Sequence, residues 1–320
     1  MNRFLTFWFA LALSLGSLQL QAQEVTLRAV SAFNEGGDIS RHFERFVAKV
    51  NAEGKGIVRI NFIGGPKAMP PFEVGKAVKS GVVDMAYVTG GFYTNVLPEA
   101  LALNYTTLTG RQQREQGVWE AINKMWAEKM NVYYLARAVD HTPYHIFLNK
   151  KIDRLDLKGL RIRVTPIHQD IVVDLGAIAV NLPPGEVFTA LERGLIDGYV
   201  WPLIGIFDLG WQEKTKFRVE PGFYSTEDSV LINLDKWKGL TKVQQDFLTK
   251  QAIWLEGIGD EYIAFNENEK KKQLAAGVQA ITFKGSEASA FQKRALDVAW
   301  KTLLDKNPVS GRALKDKLDR

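Results

Sequence analysis

PPFEVGKAVKSGVVDMAYV, residues 70–88, and PPGEVFTALERGLIDGYVW, residues 183–201, are two copies of one pattern. Aligned end to end they share Pro70/Pro183, Pro71/Pro184, Glu73/Glu186, Val74/Val187, Ala77/Ala190, Gly81/Gly194 and Asp84/Asp197. Prolines suit the first turn of a helix, a short helix follows, and the glycine ends it. An apolar pair and an aspartate then lead into a buried strand. A unit used twice predicts two α/β lobes of related design. Ligands of open α/β sheets bind beyond the carboxyl ends of the strands. The strand tips near Val88 and Val200 are therefore expected to face each other across a cleft.

The flanking sequence fits that plan. EVTLRAVSAF (24–33) reads as a strand and loop, ISRHFERFVAKVNAEG (39–54) as a helix and IVRINFIG (57–64) as a strand. GRQQREQGVWEAINKMWAEKM (110–130) reads as a helix before the strand NVYYLARAV (131–139). This alternation of strands and helices argues for mostly parallel sheets. HIFLNKK (145–151) and DSVLINLDKW (228–237) look like strands that cross between the lobes and form a hinge. A long helical pattern over 241–277 follows, with Val243, Phe247, Trp254 and Ile258 on one stripe. Gly257 and Gly259 interrupt it, so a kink or a break is expected there, letting it brace both lobes. The predicted organisation is 1–22 signal peptide, 23–147 plus 230–268 first lobe, and 148–229 plus 269–320 second lobe.

Composition narrows the function. With 320 residues, 46% hydrophobic and 24% charged, the chain is long enough for two cored domains and has no disordered composition. Residues 1–22 have Arg3 ahead of an uncharged run rich in Leu, Phe and Ala, then a small residue, Ala22: the pattern of a cleaved secretory signal. The mature chain is expected to be soluble in the periplasm. The absence of cysteine excludes disulfides, thiolate metal sites and thiol nucleophiles. The net charge of +5 is spread among acidic residues, which speaks against a nucleic-acid groove and for small anionic ligands.

No G-x-S-x-G, P-loop, G-x-G-x-x-G or H-E-x-x-H occurs, and no cofactor is expected. Asp140, His141 and His145 lie close together, but Pro143 separates them and no third ligand is near, so no metal is assigned. His145 is read as a hydrogen-bonding wall of the cleft. Trp201 falls at a predicted strand tip and is read as a pocket wall, with Tyr93 and Tyr224 as further aromatic candidates. Asn34 or Glu35, in the loop after the first strand, is placed to close the pocket. In DLKGLRIRVTP (156–166), Arg161 and Arg163 alternate with apolar residues and share one face of a strand, where two guanidiniums repel unless water or an anion compensates them.

DLKGLRIRVTP, followed by LGAIAVNLPPGEVFTALERGLIDG (175–198), resembles the solute-binding proteins of tripartite ATP-independent periplasmic (TRAP) transporters, the DctP-type family. The likeness runs from about residue 25 to 305 and takes in GGPKAMPPFEVGKAVKSGVVDMAYV (64–88) and VLINLDKWKGLT (230–241). It implies an α/β, two-lobed periplasmic binding protein of type II-like design with crossing hinge strands and a long bracing helix. It also implies that Arg163 binds the carboxylate of a ligand, with Arg161 a solvated neighbour where the family often has Lys. Two departures stand out. Trp201 occupies the place of a carboxylate-holding Asn, and His145 the place of a second arginine found in many relatives. Both point to a small monocarboxylate, with an aromatic or otherwise apolar tail.

The expected binding set is thus Arg163, Trp201, His145, Tyr93, His168, Tyr224 and Asn34, and the expected partners are a small organic acid and the membrane permease subunits of an ion-coupled transporter. A receptor for a sensor kinase, or a secreted enzyme using His145 or His168 with Asp170, would show many of the same features.

Overall fold

The computed structural model describes residues 23–319, so the signal sequence read at 1–22 lies outside the described residues. Twelve strands form two sheets among these residues. They are β1 (Val25–Ser31), β2 (Val58–Gly64), β3 (Met85–Thr89), β4 (Val132–Arg137), β5 (Pro143–Leu148) and β6 (Arg161–Val164), then β7 (Ile178–Asn181), β8 (Gly198–Pro202), β9 (Phe217–Glu220), β10 (Phe223–Ser225), β11 (Asp228–Asn233) and β12 (Gln279–Thr282). The first sheet has the order β2-β1-β3-β11-β4, and the second β12-β9-β5-β8-β6-β7 with β10 on β5.

The two sheets repeat one design. β1 lies parallel between β2 and β3, and β6 lies parallel between β7 and β8. β11 runs antiparallel between β3 and β4, as β5 does between β8 and β9. The sequence repeat sits at the same place in each. A single 3-10 turn (Pro71–Glu73, Pro184–Glu186) leads into a helix (Val74–Ser80, Val187–Glu192) and then the central strand. Gly81 and Gly194 turn the chain at φ of 75° and 63°, the left-handed region where a side chain is strained. Asp84 accepts from Arg28 N (2.8 Å) and Nε (3.1 Å), and Asp197 accepts from Arg161 N (2.9 Å) and Nε (3.3 Å). Each aspartate thereby ties the turn to the neighbouring strand.

The lobes exchange strands. β4 leads through 138–142 into β5 of the other sheet, and β10 leads through 226–227 back to β11 of the first. The strands expected to cross lie wholly in one sheet each, and the short segments before them make the crossings. Thr226 N donates to Thr142 O (2.7 Å), holding the two segments side by side. Sheet membership therefore differs from the expected lobes at β5, whose residues 143–147 were placed with the first lobe, and at 228–229, placed with the second. The helix Pro308–Leu318, also placed with the second lobe, packs against the helix Val118–Met130 and the turn Pro98–Asn104 beside the first sheet.

The bracing element is two helices, Lys242–Gly257 and Glu261–Ala275. In the first, Gln244 Nε2 donates to Ile57 O (3.2 Å) beside the first sheet. In the second, Gln273 Nε2 donates to Leu203 O (2.6 Å) beyond β8. The buried face of Lys242–Gly257 carries Gln244, Leu248, Gln251, Ala252, Leu255 and Glu256, while Val243 is 59% exposed. The apolar stripe expected from the sequence is therefore displaced, because side-chain amides and Glu256 fill the buried face. The stretch 110–130, expected as one helix, breaks at Gly117 (φ 67°) into Gly110–Glu115 and Val118–Met130.

Candidate ligand-binding cleft

Loops at the carboxyl ends of β1, β3, β6 and β8 converge where the lobes meet. They enclose two adjoining compartments of about 30 and 20 Å³, which share Phe33, Ile39 and Trp201. Anything spanning both must pass those three side chains. The first compartment is closed by Asn34, Gly37, Pro184, Asp208 and Leu209. The second is lined by Phe92, Tyr144, Ile167 and Pro202, with Thr89, Thr165, His168, Thr226 and Asp228 supplying its polar atoms.

Arg163 lies just behind this lining. It is fully buried, with its guanidinium carbon 5.2 Å from the Trp201 ring centre and 6.0 Å from that of Trp211. Nε donates to Leu182 O (2.9 Å), Nη1 reaches Val200 O at 3.5 Å, and Nη2 has no partner among the described residues. No carboxylate among the described residues pairs with it, and burial pulls its pKa down to about 9. Arg161, on the same face of β6, is the contrast: half-exposed at the outer end of the strand, it is paired with Asp197 rather than merely solvated. Two residues along the strand turn a paired surface arginine into a buried unpaired one.

The expected binding set divides. Trp201 lines both compartments, and its Nε1 is buried without a partner among the described residues. His168 lines the second, with its ring 4.5 Å from that of Tyr144. Its Nδ1 is 3.0 Å from Thr165 Oγ1, and Nε2 has no partner among the described residues. Burial, reinforced by the charge of Arg163, holds its pKa well below the ordinary histidine range, so the ring is neutral. Asn34 lines the first compartment, whereas Glu35 turns away and accepts from Gly65 N (3.3 Å).

Besides Arg163, three residues of the expected set fall outside both linings. His145 is buried beneath Gly222, with Nδ1 2.9 Å from Val219 O. Burial lowers its pKa to about 4, so it donates that proton as a neutral ring. Tyr93 is buried in the first lobe, where its hydroxyl accepts from Trp126 Nε1 (3.1 Å). Tyr224 packs its ring on Tyr105 and donates to Ala295 O (2.9 Å) on the far side of β10. Asp170 opens on a different hollow, beside Tyr105 and Leu303, and no hydrogen bond joins it to His168. Tyr144, Thr165 and Asp228 line the cleft without having been singled out. The signal available for them was position alone, since each stands at or beside a strand end that the repeat directs to the cleft.

Across the mouth, Asp208 of the second lobe accepts from Asp38 N (2.6 Å) of the first. Lys272 stands 3.8 Å from Asp38 and its ammonium lies 4.7 Å from the Phe207 ring centre. Burial raises the Asp208 pKa to about 6. These contacts join the lobes beside the first compartment.

Comparison with known proteins places this geometry. Residues 33–307 match the family described as bacterial extracellular solute-binding protein, family 7 (DctP). A monocarboxylate 2-oxoacid-binding periplasmic protein of Nostoc sp. is 27% identical over 267 residues, 79% of this chain and 72% of that protein. A TRAP periplasmic solute-binding protein from Desulfovibrio salexigens, solved with orotic acid, superposes with a TM-score of 0.82 at 20% identity, covering 92% of this chain and 97% of that one. A Bordetella pertussis extracytoplasmic solute receptor binding pyroglutamic acid superposes with a TM-score of 0.80 at 17% identity, covering 92% and 100%. The fold is thus the two-lobed fold of TRAP solute-binding proteins, and the chain belongs to the DctP family of bacterial extracellular solute-binding proteins.

Proposed function

We propose that this protein is an extracytoplasmic receptor, located in the periplasm, that closes around a small organic acid and hands it to the membrane subunits of an ion-coupled TRAP permease. The observation that carries this reading is Arg163: fully buried, without an acidic partner among the described residues, and with one nitrogen unbonded. An isolated buried charge is costly, and a bidentate carboxylate is the group whose geometry compensates a guanidinium best. Trp201 and neutral His168 stand beside it with unbonded nitrogens that can hydrogen-bond the same ligand. The surroundings, Phe33, Ile39, Phe92, Ile167 and Trp201, suit an apolar or aromatic body on a single carboxylate. The monocarboxylate binding named for the Nostoc relative supports that choice. The separation of His168 from Asp170 favours binding over proton-transfer chemistry.

A thermal-shift screen of the mature protein against small carboxylates tests the proposal. A ligand at 100 times its Kd adds about 2.7 kcal/mol of stability, which raises the midpoint by several degrees at this size. Selective shifts by monocarboxylates are expected. A folded, ligand-free preparation that shifts with none of them contradicts the reading.

A further inference from the structure

The turn Gly90–Phe92 follows the end of β3 in the first lobe. Opposite it stand Thr165 and Ile167 of the second lobe, just past the end of β6 and so just past Arg163. Gly90 and Gly91 are both buried, and neither has the positive φ that would itself call for glycine. They differ in what a side chain would meet. A Cβ on Gly90 would lie 2.6 Å from Ala100 O and 3.1 Å from Ala100 Cβ, so packing inside the first lobe requires glycine there. A Cβ on Gly91 would find Ile167 Cγ2 at 3.4 Å and Thr165 Oγ1 at 3.7 Å as its nearest neighbours, ordinary contacts made across to the other lobe. Neither backbone conformation nor packing thus demands glycine at 91.

Gly91 is also the one of the pair that lines the second compartment. The lining there holds polar groups, among which Thr89 Oγ1, Thr226 Oγ1 and His168 Nε2 have no partner among the described residues. Around Gly91 it is completed by the apolar Phe33, Ile39, Phe92 and Ile167. In a compartment of only about 20 Å³, one carbon more or less on the wall is a large change in what can enter.

We infer that Gly91 is a specificity-determining residue whose missing side chain sets how bulky a ligand body the second compartment admits, so that the site takes carboxylates carrying a branch or ring that a side chain at 91 would displace. This rests on the receptor reading above and deepens it.

Calorimetric titration of the parent and Gly91→Ala with two graded series tests it: propionate, isobutyrate, isovalerate and phenylacetate, and pyruvate, 2-oxobutyrate, 2-oxoisovalerate and phenylpyruvate. In the parent a branched or ring-bearing member is expected to bind tightest. In Gly91→Ala that member should lose at least ~10-fold in affinity, as for one methyl group too many in an apolar pocket. The smallest member that binds the parent should stay within about 3-fold, so that the optimum moves to a smaller acid. Ligand-free melts separate a filled compartment from a damaged fold: the Gly91→Ala midpoint should equal or exceed the parent's, and that of Gly90→Ala should fall. An unchanged ranking in Gly91→Ala would overturn the inference while leaving the receptor reading intact. So would an equal loss for every member, which would assign the glycine to lobe closure, or a Gly91→Ala midpoint well below the parent's. If the parent binds no member of either series, the receptor reading fails and this inference with it.

Discussion

Two arginines are fully buried among the described residues, Arg137 and Arg163, and they are opposites. Arg137 is surrounded by acceptors: Asp140 at 2.7 Å, Leu103 O at 2.8 Å, Thr226 O at 2.9 Å and Ser225 Oγ at 3.0 Å. Its pKa is raised despite burial, which is the largest single influence on it and works the other way, because Asp140, Tyr134 and Glu227 outweigh the burial together. Arg163, with two carbonyls and no acid, is pulled down to about 9. The first arrangement satisfies its guanidinium within the protein, and the second leaves one nitrogen unbonded among the described residues. The buried histidines act on stability in a defined direction. His145 and His42 both fall to about 4 through burial, below the unfolded value of about 6.5. Their neutral burial therefore contributes stability that is fully present above pH 6.5 and is lost as pH falls toward 4. Replacing His145 by Gln should flatten the decline in unfolding free energy between pH 6.5 and 4 by roughly 3 kcal/mol, read from denaturant melts across that range. An unchanged slope would show that His145 is not held neutral.

Between residues and lobes, the glycines after the first bracing helix offer a controlled comparison. A Cβ on Gly257 would meet nothing within 4 Å, whereas one on Gly259 would come 2.7 Å from Asp140 Oδ2 and 3.2 Å from Glu256 O. Asp140 holds Arg137, which in turn holds the returning crossing segment through Thr226 O. Gly257→Ala should be neutral or stabilising by up to about 1 kcal/mol. Gly259→Ala should cost about 1–3 kcal/mol through overpacking and weaken ligand binding as well, both measurable by melts and titration. Equal effects from the two changes would mean that the break does not brace the hinge.

How much of this was legible in the sequence follows the same physics. The repeat was legible because its proline, glycine and aspartate act locally, on turn geometry and on the adjacent strand. The face shared by Arg161 and Arg163 was legible from strand periodicity. What periodicity cannot give is depth along a strand or which of two neighbours meets the other lobe. Tyr144 reaches the cleft while adjacent His145 turns to Val219 O, and Tyr93 folds back on Trp126. The crossings at 138–142 and 226–227 were displaced from their expected strands because only the pairing of β5 and β11 with distant partners fixes them.

At the level of the whole molecule, the cleft is a closed contact between two similar lobes whose hinge is two short segments and a broken helix. Closure has its own interlobe contact, Asp208 to Asp38 N. Asp208→Ala should leave the fold intact but lower affinity by about 3- to 10-fold, mainly through faster release, and stopped-flow dissociation would read this directly. A dissociation rate equal to the parent's would mean that this contact takes no part in holding the lobes shut.

The most direct test is to remove the Arg163 charge while keeping its bulk. Arg163→Met and the parent would be compared by calorimetric titration with the best carboxylate from the screen, and by thermal melts without ligand. Because Arg163 is a buried charge lacking an acid, the variant is expected to be at least as stable as the parent when ligand-free. It should nevertheless lose 2–5 kcal/mol of binding free energy, roughly 30- to 5,000-fold in Kd. An Arg163→Met protein that bound the same carboxylate as tightly as the parent would contradict the account.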